Sequence, residues 1–323
     1  MRMKAVIYHN YGSPDRLEFA EVEQPTPRDD EVLVQVRASS VNSWDWDLLR
    51  GRPYLTRIGA LRKPRYMILG ADLAGRVEAV GRDVTRFRAG DEVFGDISGS
   101  GWGGFAEYVC AREDVLALKP VGTTFEAAAA VPQAAVLALQ GLRRYEAISP
   151  GQRVLINGAG GGVGTFGIQI AKSLGAEVTA VDIAEKSDVM RSVGADHVVD
   201  FRREDFTKRG QRYDLILDVT AQRSMFDYRR ALSPQGAYVC VGGATGRILQ
   251  AVLLGLWMSR TSSQRMGLLL HRPSVPDLTL MSELLETGAV VPVIDSQYAL
   301  DETAEALRHF GTGQVRGKVV ITV

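Results

Sequence analysis

The residues Glu31-Val-Leu-Val-Gln-Val-Arg alternate apolar and polar side chains, the period-two pattern of a strand with one buried face. Met3–Tyr8, Gly75–Val80, Asp91–Phe94 and Phe105–Cys110 are further short β-rich runs. Gly81, Gly90, Gly95 and the glycine cluster over 99–104 punctuate them. Many short strands between glycine turns predict a compact barrel-like β domain over residues 1–122.

Near residue 123 the period changes. Thr123 and Thr124 can cap a helix opening at Phe125-Glu-Ala-Ala-Ala-Ala; Pro132 interrupts it, and a second helical run covers Ala134–Glu146. Strands are then expected at Arg153–Asn157, Glu177–Asp182, His197–Val199, Leu215–Asp218 and Ala237–Val241. Helices are expected at Gly164–Leu174, Ala184–Val193 and Ser224–Leu232. Strand–helix alternation at this spacing predicts a doubly wound parallel sheet over 123–274, so the fold class is α/β. Beyond it, Asp277–Glu286 and Asp301–Phe310 read as helices, Val290–Pro292 as extended chain, and Lys318–Val323 as a strand. That return to β structure implies that the first domain is rejoined by about 275–323.

Composition narrows the function. The 323 residues carry 38 Lys plus Arg against 38 Asp plus Glu, which argues against a nucleic-acid binder. An apolar fraction of 46% excludes global disorder. Two cysteines, Cys110 and Cys240, cannot build a disulfide scaffold, and both fall in strands where a reactive thiol is not expected. The N-terminus lacks a signal-peptide core, and the longest apolar run, Ile248–Met258, is too short to span a bilayer. A cytoplasmic protein without membrane contact is expected.

The sharpest chemical signal is Val154-Leu-Ile-Asn-Gly-Ala-Gly-Gly-Gly-Val-Gly-Thr, a buried strand running through a glycine loop into an amphipathic helix. Ala159, Gly160, Gly161, Gly162, Val163 and Gly164 are the candidates for a pyrophosphate cradle, where helix N–H groups and the dipole favour an anion. The register is Ala159-x-Gly161-x-x-Gly164, with alanine at the usual first glycine. Asp182 ends the next strand and is placed to meet the adenine ribose hydroxyls. A carboxylate there repels a 2′-phosphate, while Lys186 offers a cation, so the sequence leans only slightly to NADH over NADPH. A glycine turn without a nucleotide is the bland alternative.

With these residues in view, the chain resembles the medium-chain dehydrogenase/reductase superfamily, in its zinc-free quinone oxidoreductase branch of ζ-crystallin-like and reticulon-4-interacting-protein-like enzymes. The resemblance runs through Ser40-Val-Asn-Ser-Trp-Asp, Leu69-Gly-Ala-Asp-Leu-Ala-Gly, Arg88-Ala-Gly-Asp-Glu-Val-Phe-Gly, Gly104-Phe-Ala-Glu-Tyr-Val, Ala128-Ala-Ala-Val-Pro, the glycine loop and Arg316-Gly-Lys-Val-Val. It implies a GroES-like catalytic domain plus a Rossmann domain, NAD(P)H-dependent reduction of quinones or α,β-unsaturated carbonyls, and a homodimer. Where the zinc alcohol dehydrogenases carry a His-Glu pair, this chain has Gly70-Ala71-Asp72, and no cysteine precedes Cys110. The histidines His9, His197, His271 and His309 are scattered without ligand spacing, so no zinc is expected. Gly160 replaces a frequent serine, and Leu137 and Gln314 replace a frequent threonine and histidine.

Without a Lewis acid a simple ketone is poorly polarised, whereas hydride addition to an enone or quinone gives an already delocalised product. By resemblance, Asn42 touches the nicotinamide ribose or the substrate carbonyl and Asp45 orders its loop. Helix capping is the plain alternative for both. Asp47 is a candidate proton relay, Tyr54 and Trp102 candidate pocket walls, and Val241, Gly242 and Gly243 a loop where doubly wound sheets place ligands. Arg316 and Lys318 are candidates to reach the cofactor or substrate, with a structural role for Lys318 the alternative. Two other readings stay open: a nucleotide-binding, redox-responsive protein with little turnover, and a peripheral membrane reductase of lipid quinones prompted by the apolar 248–258 and 268–270 runs.

Overall fold

The computed structural model describes residues 1–323, apart from the side chain of Leu55. The chain divides into two compact units. One comprises Met1–Val136, Pro273–Gly288 and Pro292–Val323; the other comprises Leu137–Arg272 with Ala289–Val291.

In the first unit, β1 (Arg2–Ile7) and β2 (Glu18–Glu23) form an antiparallel ribbon. Then come β3 (Glu31–Ser40), α1 (Ser43–Arg50), β4 (Asp72–Val80), β5 (Glu92–Asp96), β6 (Tyr108–Arg112), β7 (Leu116–Leu118) and α2 (Phe125–Ala129). The long strand β3 is the spine, pairing antiparallel with β4 and with β6. Its inward residues Val32, Val34 and Val36 join Leu73, Val93 and Leu116 in one apolar cluster, which the alternation over 31–37 foretold. Thr124 caps α2, its hydroxyl accepting from the Ala127 N–H. Because α2 packs on β3 and β4, the first unit runs on to Val136, past the change of sequence pattern near 123.

The second unit holds the rest of α3 (Pro132–Leu142), then β8 (Arg153–Asn157), α4 (Gly162–Ser173), β9 (Glu177–Asp182), α5 (Ser187–Ser192), β10 (His197–Asp200), β11 (Tyr213–Asp218), α6 (Met225–Ala231), β12 (Leu232–Cys240), α7 (Thr245–Thr261) and β13 (Arg265–Leu268). All six strands run parallel in the order β10-β9-β8-β11-β12-β13, the doubly wound arrangement, with its reversal between β8 and β11. Strands β8, β9 and β11 are buried on both faces, which is why they read as continuous apolar runs.

The chain then gives α8 (Val275–Glu286), β14 (Ile294–Ala299), α9 (Thr303–Gly311) and β15 (Lys318–Thr322). β15 lies between β14 and β3, with Val320 opposite Ser40.

Several boundaries differ from the sequence reading. Pro132 begins α3, a position where its missing N–H is no loss, and the helix stops at Leu142 short of Glu146. Phe105–Glu107 lies outside β6: the Phe105 N–H bonds Leu69, the Glu107 N–H bonds Lys4, and Ala106 bridges Ala5. The run over 184–193 opens as a 3-10 turn, Ala184–Lys186. β2 was missed because its charged, half-exposed residues give no apolar face, and the late strand is β14, not 290–292.

Val319, Val320 and Ile321 are fully buried, so the C-terminal strand is integral to the first unit. Ile321→Ala removes a buried branched side chain, and a loss of about 2–4 kcal/mol in unfolding free energy is expected by urea denaturation. A change below about 0.5 kcal/mol, the range of ordinary surface substitutions, contradicts that placement.

Candidate functional site

A polar cluster sits inside the first unit at the point where β3, β4, β15 and α1 meet. Asp72, at 0% exposure, begins β4 among apolar neighbours. An isolated carboxylate there would be costly, and four groups offset it. Its Oδ2 accepts from Ser40 Oγ at 3.0 Å and Asn42 Nδ2 at 2.9 Å, and its Oδ1 from the Gln133 N–H at 3.0 Å. Lys318 Nζ lies 3.6 Å from Oδ2.

That ammonium also donates to Asn42 Oδ1 at 2.5 Å and to the Val41 carbonyl at 3.1 Å. Both ends of the Asn42 amide are therefore held: a cation fixes the oxygen and a carboxylate fixes the nitrogen. The amide cannot flip without turning its NH2 towards an ammonium. Asn42 also stands at the N-cap of α1, where Asp45 Oδ2 accepts its backbone N–H at 2.8 Å. Asp45 Oδ1 accepts the Gly70 N–H at 2.8 Å, tying the helix start to the chain entering β4.

The electrostatics follow from burial. Desolvation pushes the Asp45 carboxyl up to about 7, against the two backbone N–H groups it accepts. Burial raises Asp72 as well, with Lys318 opposing, and lowers Lys318, with the two aspartates opposing. Asp47 is half-buried and raised to about 6 by desolvation, with Arg50 opposing.

In the second unit, the loop after β8 runs over 158–161 into the N-terminus of α4, where Gly161 is the N-cap and no side chain caps the first turn. A Cβ on Gly164 would sit 2.4 Å from the Ala159 Cα, so glycine is what lets the helix close on the loop. The Asp182 Oδ2 accepts the Gly160 N–H at 2.9 Å and its Oδ1 the Ile183 N–H at 2.8 Å. Lys186 Nζ approaches Asp182 Oδ1 to 3.8 Å, and a Cβ on Gly160 would meet its stem at 2.7 Å. Glycine at 160 thus leaves the space that the lysine stem fills. Residues 161–163 are partly accessible at a helix start that no side chain caps, which fits the diphosphate of a dinucleotide that these residues would hold.

At the sheet's reversal, Asn157 Nδ2 donates to the buried Asp218 Oδ1 at 2.7 Å and Tyr238 OH to Oδ2 at 2.9 Å. Burial raises this carboxyl. Val241 and Gly242 lead out of β12 and are partly accessible, and Gly243 is exposed. The Val241 N–H is bonded to the Asp218 carbonyl, so this loop is anchored on the same strand end.

The remaining candidates separate. Trp102 is 7% exposed and packs in an apolar cluster of the first unit, tilted against Tyr66 at 5.9 Å. Tyr54 is 70% exposed. The Arg316 side chain is exposed while its N–H bonds Asp295; Lys318 is 3% exposed and turned into the cluster. His197 pairs with Glu177 and His309 with Asp295. Burial raises both cysteine thiols to about 12. Asp72 and Asp218 were not among the sequence candidates. The available signal was a carboxylate within an otherwise apolar strand, which must find partners when buried.

Among the described residues, no group of three His, Cys, Asp or Glu side chains converges on a place for a metal. Asp72 faces the Lys318 ammonium, and its other partners are Ser40, Asn42 and the Gln133 N–H, a set with neither imidazole nor thiolate that does not fit zinc.

Residues 28–121 match the family model for the alcohol dehydrogenase GroES-like domain, and 193–321 that of a zinc-binding dehydrogenase. The chain is similar to a chloroplastic quinone-oxidoreductase homolog of Spinacia oleracea, 31% identical over 99% of this chain and 98% of that one. It is similar to the 2-methylene-furan-3-one reductase of Solanum lycopersicum (32%, 99% and 79%) and to a chloroplastic NADPH-dependent alkenal/one oxidoreductase of Arabidopsis thaliana (30%, 99% and 79%). Among solved structures, the quinone oxidoreductase from Coxiella burnetii superposes with a TM-score of 0.89 at 27% identity over the whole of both chains. The GroES-like and doubly wound halves, the glycine loop and these full-length matches agree: the chain belongs to the medium-chain dehydrogenase/reductase family, in its quinone-oxidoreductase branch.

Proposed function

We propose that the protein is a zinc-independent, NAD(P)H-dependent reductase of quinones and α,β-unsaturated carbonyls. The observation that carries the reading is Lys318, whose ammonium stands beside Asp72 and Asn42 where a Lewis acid would need their lone pairs. An acceptor that delocalises its own negative charge is then the chemistry within reach. The names of the relatives described above support the same acceptor class.

When bound, the nicotinamide supplies the hydride. The protein's part is to hold and orient. The glycine loop takes the diphosphate, and Asp182 orders that loop through the Gly160 N–H. Asn42 presents its fixed amide to the ribose or to the acceptor carbonyl, and Asp45 holds the helix start from which it projects. The half-buried Asp47, poised near neutral pH, is the candidate to hold a proton. Lys318 acts through Asn42 rather than by direct contact.

We infer that NADH is preferred slightly. A 2′-phosphate beside Asp182 meets a carboxylate, and the nearby Lys186 is already turned to that carboxylate. A homodimer fits α7, which exposes Leu249, Leu253, Leu256 and Trp257 beside the edge strand β13. Among the described residues no helix is long and apolar enough to cross a membrane.

Parallel fluorescence titrations with NADH and NADPH are expected to give tighter binding of NADH, and oxidation of that cofactor is expected with 1,2-naphthoquinone and 2-alkenals. Tighter NADPH binding overturns the cofactor preference; no turnover across a broad acceptor panel sinks the function. Asn42→Ala is expected to lower kcat/KM by about tenfold or more and to cost about 1–3 kcal/mol of stability, because buried Asp72 and Lys318 each lose a partner. Unchanged kinetics would remove Asn42 from the site. Lys318→Met leaves buried Asp72 without its cation and is expected to cost about 3–5 kcal/mol of stability. A neutral result in thermal melts would show that Asp72 is buried uncharged.

A further inference from the structure

The last residues of β8 and β11, Asn157 and Asp218, stand opposite each other in the parallel register at the point where the strand order reverses. Ligands of doubly wound sheets bind in the crevice at that reversal. Asp218 is fully buried, and its carboxylate is met by neutral donors: the Asn157 amide on Oδ1, the Tyr238 hydroxyl on Oδ2, and the Thr220 N–H. Among the described residues no ammonium or guanidinium pairs with it. The other buried carboxylate of this kind, Asp72, has Lys318. Donors alone offset only part of the cost of burying a charge, so Asp218 is stabilised further by any cation brought to the crevice.

The position of that carboxylate is fixed from several sides. The Val219 N–H donates to the Asn157 carbonyl at 2.9 Å, the Val241 N–H to the Asp218 carbonyl at 2.8 Å, and the Ala221 N–H to the Gly242 carbonyl at 2.9 Å. A Cβ on Gly243, at φ +127°, would sit 2.3 Å from the Ala221 nitrogen, so glycine there lets the loops after β11 and β12 close on each other. The loop over 241–243 is thereby tied to the strand end that carries the carboxylate. The titratable groups facing Asp218 are Tyr228 of α6 and Tyr238 and Cys240 of β12, and burial raises all three, so they stay neutral near pH 7. The charge of this cluster is therefore that of Asp218, and burial leaves it little screened by salt.

We propose that Asp218 favours the oxidised, cationic nicotinamide over the reduced, neutral one, and so makes the bound cofactor a stronger hydride donor. This rests on the NAD(P)H-dependent reading above and names a residue that biases the direction of its reaction. Loss of hydride turns a neutral dihydronicotinamide ring into a pyridinium cation, while the enone or quinone takes the hydride and one proton from water. A fixed carboxylate that no cation neutralises lowers the free energy of the cationic form and leaves the neutral form nearly untouched. A protonated carboxyl would treat the two forms alike. The donor set favours the carboxylate, because the Asn157 amide nitrogen and the Thr220 N–H can donate but not accept.

The test measures dissociation constants by calorimetry for NAD+, NADH and ADP-ribose, or for their 2′-phosphates where those bind tighter. It uses the full-length protein and its Asp218→Asn variant at about pH 8. The ratio of the NAD+ constant to the NADH constant is expected to rise by about tenfold in the variant, with the weakening confined to NAD+. ADP-ribose has the diphosphate but no ring, and is expected to bind both proteins within about twofold, a pattern that a disordered loop does not give. An unchanged ratio, or equal weakening of all three ligands, overturns the proposal while leaving the reductase standing. If Asp218→Asn does not fold, a pH series on the parent and on Tyr238→Phe decides. Protonation removes the same charge, so the parent ratio is expected to rise as pH falls from about 8 to about 5. Tyr238→Phe takes a donor from the carboxylate, so there the rise is expected to begin at higher pH. A ratio flat with pH in both proteins overturns the proposal. Failure to bind either NAD+ or NADH overturns it together with the reductase reading.

Discussion

The carboxylate of Asp72 is the constraint around which the first unit is arranged. A fully buried charge must be surrounded by donors, and here they come from separate parts of the chain: Ser40 at the end of β3, Asn42 at the start of α1, Gln133 in α3 and Lys318 at the start of β15. Meeting that requirement brings the C-terminal strand beside β3 and places α1 so that Asp45 reaches the Gly70 N–H. With Asp45 and Asp72 against one Lys318, the full set of charges would not be neutral. Burial first, and the neighbouring carboxylates after it, push both carboxyls up, so protons and hydrogen bonds share the work of neutralisation.

The second unit solves a different problem with the same means. Its parallel strands end together, and the polar residues at those ends, Asn157, Asp182 and Asp218, are each engaged with a neighbouring backbone or side-chain group. Asp182 accepts the Gly160 N–H, so the residue that faces a bound ribose in the proposed reading also sets the shape of the loop that faces the diphosphate. In that reading, a change of its charge acts on loop order and on cofactor discrimination together.

Much of this was legible in the sequence. The apolar runs at 153–157, 177–182 and 215–218 marked the central strands because strands buried on both faces leave no ambiguity of face. The glycine loop was legible because its conformation demands glycine. Less visible were β2, whose charged residues hide its pairing, and the split of the 184–193 run, where local turn geometry overrides helical period. Asp72 and Lys318 each looked ordinary in its own segment. Their meaning lies in a pairing across 246 positions of sequence, which periodicity cannot reveal. Trp102 shows the converse: its place in an apolar cluster depends on residues far from it in sequence, such as Leu300 and Ile321, which the glycines around it do not announce.

The cluster and the basic segment over 51–69 show how one short helix serves two ends. At the N-terminus of α1 the buried polar groups are met by hydrogen bonds and by Lys318, and that arrangement fixes the orientation of the Asn42 amide. Beyond its C-terminus stand Arg52, Arg57, Arg62, Lys63 and Arg65, and Arg57 is held by the Gly51 carbonyl and two rings. Satisfied polar groups make a rigid interior; an ordered cation without a carboxylate partner is stable only because solvent ions or a ligand can still reach it. The two ends of α1 therefore differ in kind: one is a satisfied interior that holds an amide, the other a solvated basic surface.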